Sequence, residues 1–252
     1  MTGTGQSGTS ATLDEDEVAR FAAMADEWWD PNGKFRPLHE INPVRLTFIR
    51  DSLCAHFGRD ATAPRALEGL TIADIGCGGG LLCEPMARLG AKVTGLDPAQ
   101  ESIEAARIHA LAQGLDINYR ADRAETLTQE GKRFDAVFAL EVVEHVPDVP
   151  EFTKVAASLV RPGGLMLLST INRTLKSYAL AIVGAEYVMR WLPIGTHRWD
   201  RFVTPDELAS ACKGAGLIET SRKGMVFNPL AGSWKLSRDT DVNYLMAAAR
   251  PG

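Results

Sequence analysis

Only four cysteines, Cys54, Cys77, Cys83 and Cys212, occur among 252 residues, and no two form a C-x-x-C pair. Neither a zinc cage nor a disulfide framework is indicated, and a reducing compartment fits. Positive charge is also short, since 27 Lys and Arg stand against 32 Asp and Glu for a net charge of -5. A general nucleic-acid partner is therefore not expected, because phosphates are met by a positive field. No Gly-Lys-Ser/Thr phosphate loop occurs anywhere in the chain. Residues 1–12 are rich in Gly, Ser and Thr and lack the apolar core of a signal peptide. Such a stretch buries too little surface to order itself, so a disordered tail is expected there, on a cytoplasmic protein.

What is present fits one soluble domain over residues 13–252. Hydrophobic content of 45% in a chain of this length suffices for a full sheet covered on both faces. The most informative stretch runs from Thr71 to Gly80 and on to Asp97. It reads as a buried strand, a glycine turn, a helix and a second strand ending in an acid. Gly76, Gly78 and Gly80 let the chain turn sharply and bring bare backbone against a ligand. Asp97, about 20 residues beyond the first glycine, is placed to accept hydrogen bonds from both ribose hydroxyls of an adenosine. A dinucleotide fingerprint would need glycine at position 81, where Leu81 stands. The loop Asp74-x-Gly76-x-Gly78-x-Gly80 resembles instead that of class I methyltransferases, which hold S-adenosylmethionine.

Before this unit, Thr12-x-x-Glu15 has the form of a capping box, and acids 14–17 suit a helix N-terminus. The pattern predicts a helix through Trp28, with Val18, Phe21, Met24, Ala25 and Trp28 on one apolar face, and a second starting near Asn42-Pro43. Both precede the first strand, so residues 13–60 are expected to form a helical lid. Trp28 and Trp29 are adjacent, so on a helix only one of them can turn into the core, and one is expected to cover the site. Later strands are expected at 116–120, 134–140, 165–170, 218–226 and 242–248. Strands alternating with helices imply an α/β fold with a doubly wound, mainly parallel sheet.

Residues that follow the strands are where chemistry belongs in such sheets. After the fourth, Glu141, Glu144 and His145 would share a face if the segment makes a helical turn. Two oxygen donors and an imidazole can hold a divalent ion, or His145 can act directly as a base. Either would help a phenol, whose pKa of about 10 leaves it a poor nucleophile at neutral pH. An acid and a histidine at such a junction can also simply satisfy backbone donors.

The chain as a whole resembles the O-methyltransferases of ubiquinone biosynthesis. The resemblance rests on residues 27–30 (EWWD), 35–45 (FRPLHEINPVR), 74–80, 141–147 (EVVEHVP), 169–173 (STINR), 183–187 (VGAEY), 195–197 (GTH) and 241–244 (DVNY). It implies a Rossmann-like, seven-stranded methyltransferase sheet and contacts to S-adenosylmethionine from Arg45, Gly76, Asp97 and Leu140. Asp122 is matched loosely as a contact to the adenine amine. Related eukaryotic members are thought to hold magnesium through the positions matching Glu141, Glu144 and His145, which makes Mg2+ a second candidate cofactor. Asn172 and His197 are substrate-side candidates. Arg45 has a physical reason as well, because a guanidinium can clamp the methionyl carboxylate with two parallel hydrogen bonds.

Residues 174–201 form an insertion after the fifth strand. As a helix it would gather Tyr178, Ala181, Ile182, Ala185, Val188, Met189 and Leu192 on one side. Glu186, Arg190 and Pro193 make it too short and too charged to span a bilayer. It suits a membrane interface, with Arg173, Lys176, Arg190, Arg198 and Arg201 near anionic headgroups, or equally a face buried against the sheet or a neighbour. The implied partners are a polyprenyl phenol or catechol, the anionic inner face of the membrane and other ubiquinone-synthesis enzymes. The rival readings are a methyltransferase of another lipophilic phenol and a non-catalytic scaffold subunit with the cofactor fold.

Overall fold

The computed structural model describes residues 12–178, 199–228 and 231–252. Five parallel strands come first: β1 (Thr71–Ile75), β2 (Lys92–Asp97), β3 (Asn118–Ala121), β4 (Phe134–Leu140) and β5 (Val160–Ile171). They are followed by β6 (Ile218–Asn228), β7 (Ser233–Ser237) and β8 (Asn243–Ala249), which join by antiparallel pairing. The spatial order is β3-β2-β1-β4-β5-β8-β6-β7. The order reverses between β1 and β4, and a crevice opens beyond the carboxyl ends of the strands at such a point.

Alternation along the buried strands feeds two cores. Ile72, Ala136, Phe138, Leu165 and Leu167 face one way. They pack with α2 (Arg36–Phe57), α3 (Cys83–Arg88) and α4 (Gln100–Ala112). Ala73, Val137, Ala139, Met166 and Leu168 face the other way, toward α6 (Val149–Ser158) and α8 (Pro205–Gly214). This is the period of two that puts successive strand residues on opposite faces. A third, smaller cluster of Ala25, Trp28, Phe35 and Leu81 belongs to the lid.

The doubly wound α/β sheet matches expectation, with eight strands among the described residues where seven were expected. The additional strand is β7, whose Ser-Trp-Lys-Leu-Ser sequence alternates polar and apolar over only five residues and pairs with β6 as a hairpin. The lid departs further. Helix α1 (Glu15–Ala22) is capped by Asp14, which accepts from the amides of Asp16 and Glu17, and Thr12 is not its cap. It ends before the tryptophans, which follow a short 3-10 turn over Ala25–Glu27. Helix α2 starts at Arg36, six residues earlier than Asn42 suggested, because Pro37 occupies its first turn and Pro43 is tolerated inside. Most of the 174–201 insertion, including Arg190 and Arg198, lies outside the described residues. Its start is the helical turn α7 (Leu175–Ser177), in a capping box made by Thr174 and Ser177.

Candidate active site

The glycine turn after β1 is shaped by protein neighbours. Gly78 has φ +50°, and a Cβ there would lie 2.3 Å from the Trp28 ring. At Gly80, with φ +88°, a Cβ would meet the Tyr119 hydroxyl, which has no hydrogen-bond partner among the described residues. The tryptophan pair grips this turn from the lid. Trp28 stacks on Phe35 at 3.7 Å and donates to Ser102 Oγ at 3.0 Å. Trp29 donates to the Gly79 carbonyl at 2.9 Å and stacks on His109 at 3.5 Å. Because the helix has already ended, both rings reach the same loop, where a continuous helix would have sent only one inward.

Asp97, at the end of β2, accepts the amides of Gly78 and Ala99, each at 2.9 Å. Burial pushes its carboxyl up to about 6 even though those two donors pull the other way. Asp74 is buried at the end of β1, bonded by the Cys83 thiol at 3.3 Å, and burial pushes it up to about 7. Across the turn, α2 delivers Arg45. Arg45 is only 3% exposed, and its guanidinium donates to Asn42 at 3.3 Å and leaves Nε with no partner among the described residues. Burial works against its charge, while the carboxylates of Glu141, Asp74 and Glu144 support it.

A buried guanidinium with an unused donor is costly unless something else satisfies it. A methionyl carboxylate would do so, and Asp97 stands where the ribose of the same molecule would fall. The residues therefore fit S-adenosylmethionine. Leu140 is buried at the end of β4 beside this turn. Asp122 lies on the rim of the cavity, held by Thr126 at 2.6 Å and Arg120 at 2.8 Å. Burial tends to raise its pKa, but these donors and the Arg123 amide outweigh that and keep it low. The cavity, about 140 Å³, is bounded by Gly76, Asp97, Glu141 and His145, with Glu17 and Phe21 of α1 as its outer wall. Ligand pockets typically measure about 300–1,000 Å³, so this one is drawn in.

Glu141, Glu144 and His145 do not share one helical face. Glu141 has φ +57°, unique to it among the described non-glycine residues, and a 3-10 turn over Val143–His145 follows. Glu141 accepts from Ser169 Oγ at 2.6 Å and Glu144 from Thr170 Oγ1 at 2.8 Å. Those two β5 residues are consecutive, so they point to opposite faces and draw the two carboxylates apart. Burial first, then the Glu141 charge, pushes Glu144 up to about 7. His145 Nδ1 instead meets Glu17 Oε2 at 2.9 Å. Among the described residues no three His, Cys, Asp or Glu side chains gather as a metal site requires. With the two carboxylates drawn apart and His145 bonded to Glu17, this trio does not fit a magnesium ion.

Asn172 donates to the Thr240 carbonyl at 2.9 Å and ties the end of β5 to the approach of β8. His197 lies outside the described residues. Glu17 is the site residue that the sequence hid. It reads locally as one more acid in a helix first turn, and nothing near it signals a partner beyond β4.

The description "Methyltransferase domain" matches residues 48–219. Among proteins of known name, the chain is 58% identical to the ubiquinone biosynthesis O-methyltransferase of Chelativorans sp. (strain BNC1), over 95% of both chains. It is 56% identical to that of Methylobacterium nodulans, over 96% of this chain and 98% of the relative. Among solved structures, magnesium protoporphyrin IX methyltransferase from Synechocystis PCC 6803 with bound SAH aligns with a TM-score of 0.67. That match is 21% identical and covers 94% of this chain and all of the other, a likeness of fold. With identity at this level over about 95% of the chain and a methyltransferase domain match over residues 48–219, the chain belongs to the family of ubiquinone biosynthesis O-methyltransferases.

Proposed function

We propose that this protein is an S-adenosylmethionine-dependent O-methyltransferase that methylates phenolic hydroxyls of polyprenyl catechol and hydroquinol intermediates, at both O-methylation steps of ubiquinone biosynthesis. The observation that carries the cofactor assignment is the buried Nε of Arg45, without a partner among the described residues and close to the charges of Asp74, Glu141 and Glu144. The relatives' shared name supports the substrate class and disfavours both another lipophilic phenol and a non-catalytic scaffold.

When bound, the cofactor supplies a methyl group already activated on a sulfonium. What remains for the protein is alignment and the phenolic proton. Arg45 and Asp97 fix the two ends of the donor, and the walls of the cavity align the acceptor for in-line attack. His145 takes the proton on Nε2, since Nδ1 is engaged. Burial tends to lower the His145 pKa, but the Glu17 bond and the Glu144 charge outweigh it and hold it above the usual value. A more basic imidazole is a better partner for a phenol. The Glu141 backbone, held in a left-handed conformation, sets the turn that brings this ring to the cavity.

Docking on an anionic membrane through residues 174–201 completes the reading. Leu175, 83% exposed, and Tyr178 and Trp199 present apolar surface at the two ends of the segment, with the latter rings 6.5 Å apart. No helix among the described residues is long and apolar enough to cross a membrane. Three of the cations expected to meet lipid are paired internally, Arg173 with Glu207, Lys176 with Asp239 and Arg201 with Asp14. Apolar contact is therefore the main attachment in this reading.

Turnover of a short-tailed catechol with labelled cofactor tests the chemistry. Labelled ether should form at an undiminished rate in chelator, and chelator-sensitive turnover restored by magnesium would overturn the metal-free route. Co-sedimentation with anionic vesicles, lost on changing Leu175 and Trp199 to Ser, tests the docking.

A further inference from the structure

Helix α1 has no buried residue. At eight residues it is too short to persist on its own, so its presence over the cavity depends on a few contacts. One is the Asp14–Arg201 ion pair at 2.8 Å, and another is the bond from Thr12 to Glu125. The most inward is Glu17 to His145 at 2.9 Å, with both side chains about four-fifths covered. Phe21, four residues on and so on the same helix face, sets its ring edge against the imidazole at 5.4 Å and 86°. One face of α1 thus grips the His145 ring in two ways, by a bond in its plane and by an edge contact.

From this geometry we propose that Glu17 is a positioning residue for methyl transfer, which seats the His145 ring so that the proton acceptor is assembled only while α1 lies over the cavity. The proposal rests on the reading of His145 as that acceptor. An ionised carboxylate only accepts hydrogen bonds, so in the neutral ring, the form that acts as base, its partner Nδ1 carries the hydrogen and Nε2 keeps its lone pair. As the phenolic oxygen bonds to the methyl carbon, the carbon–sulfur bond breaks, its electron pair stays on sulfur, and the phenolic proton passes to Nε2. The imidazolium so formed is held beside the Glu17 carboxylate until it releases the proton to solvent. Other charged groups around the ring are Arg20, which pairs with Glu17 from the same helix, and Glu144 and Glu141 from the turn after β4. They affect its charge without bonding Nδ1. Chemistry and closure are thereby coupled, because the same carboxylate that orients the base belongs to the helix that shuts water out.

The experiment is single-turnover methylation of a short-tailed catechol by full-length wild type, Glu17→Ala, Glu17→Gln, His145→Ala and the Glu17→Ala/His145→Ala pair. Glu17→Ala should slow transfer about tenfold or more, with cofactor affinity and the catechol KM changed less than about threefold. Glu17→Gln, whose amide oxygen can still accept from Nδ1, should recover part of that loss. In the His145→Ala background, Glu17→Ala should cost nothing further, which a residue that merely held the helix would not show. A Glu17→Ala loss equal in both backgrounds, or wild-type transfer in Glu17→Ala, overturns the role of Glu17 and leaves His145 as the acceptor. Wild-type transfer in His145→Ala overturns the acceptor reading itself, and the proposal with it. All these variants should fold, since α1 contributes no core residue and His145 belongs to none of the three hydrophobic clusters.

Discussion

Replacing Gly78 with Ala should loosen the lid while leaving the sheet intact. The new Cβ would stand 2.3 Å from two Trp28 ring carbons, and the residue must keep φ +50°. The left-handed conformation costs a non-glycine residue about 1–2 kcal/mol. Displacing the indole forfeits its bond to Ser102, worth about 1 kcal/mol. It also forfeits the stack on Phe35, worth roughly 1 kcal/mol more. The total, about 3–4 kcal/mol, falls on a cluster that packs apart from the two sheet cores. Amide exchange between Asp14 and Phe35 should therefore accelerate about a hundredfold or more, with the β1, β4 and β5 amides as protected as before. Gly79→Ala is the control, because its Cβ would lie 2.4 Å from Trp28 with no left-handed φ to maintain. It should show a smaller effect by roughly the 1–2 kcal/mol of the backbone term. Unchanged exchange in the lid of the Gly78 variant, or equal loss of protection in the sheet, would refute the reasoning.

The Asp97 carboxyl, pushed up to about 6 by burial, gives a pH prediction with a definite sign. Its folded pKa lies above the unfolded value of about 3.9, so falling pH removes a buried charge and this group adds stability. Cofactor binding needs the ionised acceptor, so calorimetric affinity should weaken about tenfold between pH 7 and pH 5, and Asp97→Asn should lose that part of the slope. Arg45→Met should fold but bind cofactor at least tenfold more weakly by the same method, from the loss of charge-assisted bonds worth about 1.5–3 kcal/mol. Unchanged affinity would remove Arg45 from the site. Asp135 bonds the Thr71 amide and hydroxyl, at 2.7 and 2.6 Å, and pairs with Arg161. Asp135→Asn should thus cost about 2 kcal/mol and roughly 4–8 °C in melting temperature, with turnover at assay temperature unchanged.

Sheet and cofactor half-site were legible because each is written locally. Phe134–Leu140, apolar except for Asp135, forms β4 with those bounds, and the glycines, Asp97 and Asp74 lie within one βαβ unit. The proton half-site was not. Spacing put Glu141, Glu144 and His145 on one helical face, whereas a left-handed backbone at Glu141 sends them to three different partners. No residue pattern marks a non-glycine φ of that sign. Glu17 escaped for a different reason, since its role exists only after the lid folds across the sheet. The bond from the Asn172 amide to the Thr240 carbonyl is not signalled by its motif, because β8 pairing brings the two together from distant parts of the chain.

Strand β8 sits in the interior of the sheet although it is among the latest elements in the sequence, paired on one side with β5 and on the other with β6. During synthesis the parallel half of the sheet must therefore wait with the β5 edge open, an invitation to foreign strands. Premature termination before residue 243 would yield a chain with its cofactor turn in place and an adhesive edge, prone to assemble with copies of itself.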